Sequence, residues 1–166
     1  MKLFLIGMPG SGKTTLGKAL AEHLAVPFVD LDTEIEKAEG KSISDIFSTA
    51  GHDHFRLVES RLLREWAAGS HAFVMATGGG APCFHQGMQV LNESGLSIFL
   101  DCPVSDLLER VKANRERPLL LTSGEDELKE KLERMLASRL ACYRQAKIVL
   151  ERPSLPTLLE TLNLRK

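Results

Sequence analysis

Short apolar runs alternate with stretches of helical periodicity along most of the chain. Five runs rich in apolar and β-branched residues predict strands at residues 3–7, 28–32, 72–77, 97–101 and 148–151. Recurrent apolar positions at helical spacing predict helices at residues 13–24, 43–47, 54–68, 85–92, 104–114, 127–144 and 157–162. Because strands alternate with helices, we expect an α/β fold in which helices cover both faces of a mostly parallel sheet.

The chain of 166 residues has the length of one compact domain, and we predict a single domain over residues 1–166. No internal repeat, low-complexity tract or long linker interrupts the pattern. One irregular stretch covers residues 115–126, where polar residues flank the apolar string PLLL. We predict a mobile loop there rather than a domain boundary.

Composition and charge argue against several classes of function. Lys and Arg number 21 and Asp and Glu 22, so the chain lacks the basic surplus of a nucleic-acid-binding protein. No stretch approaches the roughly 18 apolar residues of a membrane span. Cys83, Cys102 and Cys142 are widely spaced and odd in number, which favours free thiols in a reducing compartment. We therefore expect a cytoplasmic protein that binds neither nucleic acid nor membrane.

The string GMPGSGKTT, residues 7–15, follows the first predicted strand and precedes the first predicted helix. It satisfies the pattern G-x-x-x-x-G-K-[ST], in which glycines let successive backbone N–H groups point at one phosphate. Lys13 is expected to reach the β- and γ-phosphates, and the Thr14 hydroxyl to coordinate Mg²⁺. The residues expected to bind the nucleotide here are Gly10, Ser11, Gly12, Lys13, Thr14 and Thr15. The GTP-binding motifs D-x-x-G and N-K-x-D do not occur, so ATP is the expected donor.

Two aspartates, Asp30 and Asp32, end the second predicted strand. Side chains alternate along a strand, so this prediction places both carboxylates on one side, at the end where ligands bind in open α/β sheets. One carboxylate would hold Mg²⁺, directly or through water, and the other would orient an attacking hydroxyl or accept its proton. Alternatively, one of them caps the next helix. Asp101 also ends an apolar run, but Pro103 follows it, and we interpret Asp101 as introducing a helix rather than as a metal ligand.

Glycines and arginines further along the chain are candidates for binding an anionic substrate. Gly78, Gly79 and Gly80 follow the third predicted strand, and their lack of side chains lets a ligand approach the backbone closely. Arg56 and Glu59 lie three residues apart on a predicted helix, where a surface ion pair is the simpler interpretation.

Two further arginines lie in the second half of the chain. Arg117 starts the string RPLLL, and a cation at the base of a mobile loop can close over phosphates and expel water. Arg139 lies on a charged predicted helix, which is equally consistent with a solvated face. The five histidines are scattered, and we assign no metal to them.

Taken together, these motifs resemble the shikimate kinase family in order and spacing across nearly the whole chain. The matching strings are GMPGSGKTT, FVDLDTEIE, FRLVE, TGGGA, RPLL and RLACYR. The first is shared by a very large superfamily, whereas the later ones in series are much more specific. The resemblance implies a five-stranded parallel sheet in the order 2-3-1-4-5, a substrate-binding region near residues 32–62 and a lid near residues 112–126. It also implies transfer of the γ-phosphate of ATP to the 3-hydroxyl of shikimate, on the route to aromatic amino acids.

The resemblance implies roles for individual residues on the shikimate side. Asp32 would face the acceptor hydroxyl. Arg56 and Arg139 would bind the substrate carboxylate, Glu59 would hold Arg56 in position, and Gly79 would lie against the substrate. Two planar guanidinium groups suit the bidentate recognition of a carboxylate.

On the nucleotide side, the resemblance places Asp30 near Mg²⁺ through water. Arg117, in the lid, would contact the nucleotide phosphates, and Arg110 would lie flat near the adenine. Lys13 and Arg117 would act in catalysis together with Asp32.

The chain departs from the family pattern at His52, where many members have Glu, and at Ala141, where many have Pro. Neither change removes a charge that would bind substrate. Another small-metabolite kinase, such as a gluconate kinase, or a nucleotide kinase is the nearest alternative function. A catalytically idle nucleotide-binding module is a second alternative, although it would be expected to lack one of the catalytic residues. The expected oligomeric state is a monomer.

Overall fold

The computed structural model describes residues 1–113 and 124–163. Five strands are found there: β1 Lys2–Ile6, β2 Phe28–Asp30, β3 Phe73–Ala76, β4 Leu96–Asp101 and β5 Ile148–Glu151. The helices are α1 Lys13–Leu24, α2 Leu31–Glu39, α3 Ile43–Ala68, α4 Gly87–Ser94, α5 Val104–Ala113, α6 Glu125–Tyr143 and α7 Leu155–Thr161. A short 3₁₀ turn, Ala81–Cys83, lies between β3 and α4.

The five strands form one sheet in the order β2-β3-β1-β4-β5, and every neighbouring pair is parallel. Strand β1 lies at the centre, where Leu3 is opposite Val74 of β3 and Leu96 of β4. The predicted α/β fold with strand order 2-3-1-4-5 is therefore confirmed. The carboxyl ends of β1, β2 and β3 lie side by side at one edge of the sheet, where ligands bind in folds of this kind.

Alternating side chains of the central strand supply two separate cores. Phe4 and Ile6 point into the core that packs against α2 to α6, whereas Leu3 and Leu5 point into the core beneath α1 and α7. All four side chains are fully buried. Burying each of these side chains contributes roughly 1.5–3 kcal/mol to the free energy of folding. Strand β1 is therefore held firmly on both faces and supports the loop that follows it.

Helix α2 was not predicted, because the apolar run was interpreted as a strand through residue 32. The strand ends at Asp30, whose Oδ1 accepts hydrogen bonds from the backbone N–H groups of Asp32 (3.1 Å) and Thr33 (3.4 Å). Leu31 and Ile35, four residues apart, are both buried and form the apolar stripe of the helix. The alternative that one aspartate caps a helix is confirmed, and the capping residue is Asp30.

The two helices predicted at residues 43–47 and 54–68 are joined in α3. Gly51, with φ 83° and ψ 173°, interrupts the helical backbone between them. Helix α4 begins at Gly87 rather than at His85 because His85 and Gln86 adopt left-handed φ values of 48° and 61°. Strand β3 is shorter than predicted at both ends, and the remaining helix and strand limits agree within two residues.

Asp101 is the last residue of β4, and two residues separate it from α5, in agreement with its interpretation as the residue that introduces a helix. Among the helices of residues 1–113 and 124–163, none combines the length and hydrophobicity that a bilayer-spanning segment requires.

Candidate active site

A loop of small residues joins β1 to α1 and bends at two glycines. Gly10 and Gly12 have φ values of 82° and 93°, a left-handed conformation that residues with a Cβ rarely adopt. Gly12 immediately precedes the first helical residue, so the unpaired N–H groups of the first turn of α1 face the space enclosed by the loop. This geometry is that of a phosphate-binding site at a helix N-terminus.

Lys13 places its charge inside this loop. Its Nζ donates hydrogen bonds to the carbonyl oxygens of Gly7 and Met8, both at 2.9 Å, and the residue is only 8% exposed. A buried ammonium group surrounded by backbone dipoles is a strong attractor for a phosphate chain. Lys13 therefore lies inside the loop, and its contact with the β- and γ-phosphates stays a prediction.

The loop opens onto a cavity of about 380 Å³, which we call the donor cavity. It is lined by Gly10, Gly12, Lys13, Thr14, Thr15, Arg110 and Val111. Arg110 reaches it from α5 and donates from Nη1 to the carbonyl oxygen of Gly10 at 3.2 Å. Ser11 is completely buried within the loop, and its hydroxyl has no partner among the described residues. Of the residues predicted to bind ATP, Arg117 lies outside the described residues.

Thr14 and Asp30 bring a hydroxyl and a carboxylate together beside the phosphate-binding loop. The Thr14 hydroxyl donates to Oδ2 of Asp30 at 3.0 Å, while the other carboxylate oxygen caps α2. Within residues 1–113 and 124–163 no three His, Cys, Asp or Glu side chains are arranged so that they could hold a metal ion on their own. One hydroxyl and one carboxylate nevertheless fit Mg²⁺, which is commonly bound by one or two carboxylates together with substrate phosphates and water.

A second cavity, of about 310 Å³, adjoins the first, and we call it the acceptor cavity. Its polar lining residues are Lys13, Thr14, Asp30, Asp32, Arg56, Glu59, Thr77 and Arg139, together with Gly78, Gly79 and Gly80. Its apolar lining residues are Pro9, Ile43, Phe55, Ala76 and Met135. Lys13 and Thr14 line both cavities, so the two spaces meet at these residues.

Asp32 lines the acceptor cavity from the first turn of α2. The prediction that Asp30 and Asp32 share one side of a strand is wrong, since the chain becomes helical at Leu31. Both carboxylates nevertheless line the same cavity, because the cap at Asp30 turns the first turn of the helix toward the sheet edge. The carboxylate of Asp32 also approaches residues 78–80, which we call the glycine segment: a Cβ on Gly78 would lie 3.0 Å from Oδ1 of Asp32.

Arg56 and Glu59 form a buried ion pair on α3, with Nη1 and Oε2 2.7 Å apart. Their side chains are 13% and 2% exposed, so the surface-pair interpretation is wrong. Burial raises the pKa of Glu59 above its ordinary value of 4.5, and the neighbouring Arg56 opposes this shift. The second carboxylate oxygen of Glu59 has no hydrogen-bond partner among the described residues.

The three consecutive glycines after β3 each leave room for a different charged side chain. A Cβ on Gly78 would lie 2.6 Å from Oε1 of Glu59, and one on Gly79 would lie 2.9 Å from Nη1 of Arg139. A Cβ on Gly80 would overlap the guanidinium group of Arg56. The space that these glycines leave is therefore filled by charged side chains of the protein, and these side chains also line the acceptor cavity.

Arg139 approaches the acceptor cavity from α6 and is partly buried there, so it does not belong to a solvated helix face. Tyr143, one helical turn later, is fully buried and donates from its hydroxyl to the carbonyl oxygen of Gly79 at 2.6 Å. Burial raises the pKa of Tyr143, whereas Arg139, which hydrogen-bonds its side chain, opposes the shift. Tyr143 thus ties α6 to the glycine segment and stays protonated.

Several lining residues were not singled out from the sequence, among them Ile43, Phe55 and Met135. Their apolar spacing on α3 and α6 is typical of core positions, so the sequence held no signal that they face a ligand. The sequence indicated only widely spaced thiols at Cys83 and Cys142, yet in the fold each is close enough to influence the other, and Arg139 and Arg56 act on Cys83. Burial is the main cause that raises the pKa of Cys83 to about 12, so this thiol stays neutral.

Comparisons with known proteins agree with this geometry. The family model described as shikimate kinase matches residues 9–157. A shikimate kinase of Bacteroides fragilis is 41% identical over 150 residues, which is 90% of this chain and 83% of that protein. The crystal structure of shikimate kinase from Bacteroides thetaiotaomicron superimposes with a TM-score of 0.92 at 35% identity, covering 99% of both chains. Shikimate kinase from Acinetobacter baumannii in complex with shikimate gives a TM-score of 0.89 at 34% identity, covering 98% of this chain and 91% of that one.

Proposed function

The chain belongs to the shikimate kinase family, and we propose how its residues divide between the two substrates of the reaction. The chain is an ATP-dependent kinase that phosphorylates shikimate. The γ-phosphoryl group passes from ATP to the 3-hydroxyl, which gives shikimate 3-phosphate and ADP on the route to chorismate and aromatic amino acids.

One observation supports this division best: the donor and acceptor cavities meet at Lys13 and Thr14. A phosphoryl transfer needs the acceptor oxygen, the phosphorus and the leaving oxygen roughly in line. A phosphate chain in the loop, resting on the N-terminus of α1, would direct its terminal phosphate toward that junction. Lys13 would then neutralise charge on the β- and γ-phosphates throughout the transfer.

Asp32 is the residue that we assign to the acceptor hydroxyl. Asp32 lines the acceptor cavity together with Lys13. The phosphoryl group passes directly from ATP to shikimate in this proposal, so Asp32 does not act as a nucleophile. Its proposed role is to accept the hydroxyl proton as the new O–P bond forms and the bond to the ADP oxygen breaks. Removing that proton makes the oxygen of shikimate a better nucleophile.

Arg56 and Arg139 are assigned to the shikimate carboxylate. They approach the glycine segment from different helices, α3 and α6, and both line the acceptor cavity. Guanidinium groups bind carboxylates in a bidentate manner, and burial strengthens the interaction because less water competes. Glu59 holds Arg56 through the 2.7 Å ion pair, which fixes the direction of its remaining N–H groups. Gly78, Gly79 and Gly80 let the substrate ring approach the backbone between these charges.

Thr14 and Asp30 are assigned to Mg²⁺, with Thr14 as a direct ligand and Asp30 acting through water. When bound with the nucleotide, the ion would neutralise phosphate charge and orient the phosphate chain. The 3.0 Å hydrogen bond between the two side chains supports this assignment, because it already places a hydroxyl and a carboxylate at the edge of the donor cavity.

Three further assignments complete the proposal on the nucleotide side. Gly10, Ser11, Gly12 and Thr15 bind the phosphates with Lys13. Arg110 lines the donor cavity and is assigned to the adenine end of the nucleotide. Arg117, in a lid near residues 112–126, is assigned to the phosphates on the basis of its RPLL motif alone.

We also propose that residues 1–166 form a single domain that acts as a monomer, and the described residues of this chain supply the lining of both cavities. All three cysteines are free, which supports a reducing, cytoplasmic setting.

The experiment that tests the proposal measures ADP release by the purified protein with ATP and Mg²⁺. Shikimate, gluconate, AMP and no acceptor are compared at equal concentrations. We expect a large acceleration by shikimate alone, and Arg56→Ala and Arg139→Ala should each raise the KM for shikimate without changing the KM for ATP. An equal response to gluconate would contradict the acceptor specificity, and a changed KM for ATP alone would contradict the arginine assignments.

A further inference from the structure

Phe84 is one of the few large apolar side chains that the described part of the chain exposes, at 44% of its surface. It lies just after the 3₁₀ turn that follows the glycine segment. The ring is nevertheless in contact with the protein, because the guanidinium carbon of Arg56 lies over it, 4.3 Å from the ring centroid. This distance is well within the roughly 6 Å at which a cation and an aromatic face attract each other.

The backbone that carries the Phe84 ring is held in place by several contacts. The carbonyl oxygen of Phe84 accepts a hydrogen bond from the N–H of Gly87 at 2.8 Å. The next residue, His85, has a left-handed backbone, and its carbonyl oxygen accepts a hydrogen bond from Nη2 of Arg64 at 2.6 Å. Gly87 packs directly on the carbonyl group of Ala81, where a Cβ would overlap it. An exposed ring held in this way is well suited to serve as a fixed platform.

Arg56 is contacted on several sides, and each contact uses a different part of its guanidinium group. Nη1 of Arg56 donates a hydrogen bond to Oε2 of Glu59 at 2.7 Å, and the backbone of Gly80 lies against the guanidinium group. The N–H donors of a guanidinium lie in its plane, so its faces make no conventional hydrogen bonds but stack well on aromatic rings. The guanidinium carbon lies over the ring of Phe84, 4.3 Å from its centroid, while the ring of Phe55, 5.2 Å away, provides a second and more distant aromatic contact.

We propose that Phe84 is a positioning residue for the shikimate carboxylate, which acts by holding the guanidinium plane of Arg56 with its remaining N–H groups toward the acceptor cavity. The inference rests on the proposed role of Arg56. Phe84 does not line the cavity, so its effect on the substrate passes through Arg56. Its loss should therefore weaken shikimate binding, with little effect on the chemical step or on ATP.

The first test compares steady-state kinetics of Phe84→Ala with those of the unchanged protein. A cation–aromatic contact of this kind predicts a rise of about three- to tenfold in the KM for shikimate. The kcat and the KM for ATP should stay unchanged. Phe84→Trp, which keeps an aromatic face, should restore the KM, whereas Phe84→Leu should not. Leu57→Ala is the matched control, because Leu57 is adjacent to Arg56 in sequence but 60% exposed.

A double-mutant cycle separates this inference from the assignment on which it rests. Arg56→Ala should raise the KM for shikimate strongly, and adding Phe84→Ala in that background should raise it no further. If Arg56→Ala raises the KM and Phe84→Ala does not, the role of Phe84 is wrong and the proposed function stands. If Arg56→Ala leaves the KM unchanged, the assignment of Arg56 to the carboxylate and the role of Phe84 are both wrong. An equal effect of Phe84→Ala in the two backgrounds, or full rescue by Phe84→Leu, also overturns the inference.

Discussion

The donor and acceptor cavities share Lys13 and Thr14 but are built in different ways. Most residues of the donor cavity come from one continuous segment with left-handed glycines and a helix N-terminus, and α5 adds Arg110 and Val111. The acceptor cavity is assembled from the phosphate-binding loop, the glycine segment and helices α2, α3 and α6, whose charged side chains define it. A backbone site binds any phosphate chain, whereas a side-chain site distinguishes one small metabolite from another. The difference shows which half of the site sets substrate specificity.

The largest expected effect of a single change in the acceptor cavity is that of Asp32→Asn. The amide cannot accept the hydroxyl proton, and general-base assistance contributes about 10²- to 10⁴-fold. We therefore expect kcat to fall by about that factor, while ATP binding measured by calorimetry stays unchanged. Unchanged turnover would show that Asp32 acts only in the first turn of α2.

Arg139→Ala should weaken the binding of shikimate in the acceptor cavity without affecting the binding of ATP in the donor cavity. A charged hydrogen bond contributes roughly 1.5–3 kcal/mol, so the KM for shikimate should rise by about ten- to a hundredfold. Initial rates at varied shikimate and varied ATP measure the two KM values separately. Arg134→Ala, which removes an exposed charge from the same helix, should leave both unchanged. A rise in the KM for ATP alone would contradict the contrast between the cavities.

Gly80→Ala tests whether the glycine segment makes room for a charged side chain. The added Cβ would overlap the guanidinium group of Arg56, and overpacking of this kind costs about 1–3 kcal/mol. We expect a rise of about five- to a hundredfold in the KM for shikimate and an unchanged affinity for ATP. Gly69→Ala is the matched control, since a Cβ there would make only an ordinary contact, 3.4 Å from the carbonyl oxygen of Trp66. A normal KM for Gly80→Ala would show that Arg56 moves aside without consequence.

The smallest expected effect is a pH dependence that arises from Glu59. Burial raises its pKa above 4.5, so acidification protonates Glu59 earlier than an exposed glutamate and weakens its hold on Arg56. We expect kcat/KM for shikimate to decline on the acid side with a midpoint above 4.5, and Glu59→Gln to lower the plateau and shift the decline to lower pH. Exposed Glu65→Gln is the control.

The same raised pKa has a consequence for stability. The folded protein binds the Glu59 proton more tightly than the unfolded chain does, so the contribution of this group to the free energy of unfolding falls as pH rises from 4.5 to the folded pKa. Above the folded pKa it stays constant. Urea unfolding across this range, compared between the unchanged protein and Glu59→Gln, measures the difference. An identical pH dependence in both would contradict the assignment.

Local patterns predicted the strands, most of the helices and the phosphate-binding loop, because each depends on neighbours in sequence. The strand order came from the resemblance to a family, since periodicity does not reveal which strands pair. Helix α2 was missed because an aspartate at the end of a short apolar run suits both a strand end and a helix cap. The roles of Asp32, Arg56 and Arg139 stay predictions that the geometry supports, and that of Arg117 rests on sequence alone.

The contact between Phe84 and Arg56 was beyond sequence reasoning for a different reason. It joins a loop to a helix that lies earlier in the chain, and no spacing rule connects residues so far apart. The burial of the Arg56–Glu59 pair could not be predicted either, because surface and buried ion pairs on a helix share the same spacing of three residues. What the sequence lacks in both cases is the tertiary packing that brings the segment after β3 against α3.

The two oxygens of Asp30 have a practical consequence for engineering new acceptor specificities. Oδ2 accepts from Thr14 at the start of α1, and Oδ1 caps α2, so one side chain joins the nucleotide-binding and acceptor-binding parts of the enzyme. A chimera that takes α2 and α3 from another kinase would preserve both attachments if the exchange began after Asp30, because the backbone N–H groups of the grafted first turn can donate to the same Oδ1. An exchange that replaced Asp30 by a residue without a carboxylate would remove the cap of the grafted helix and the contact with Thr14 together.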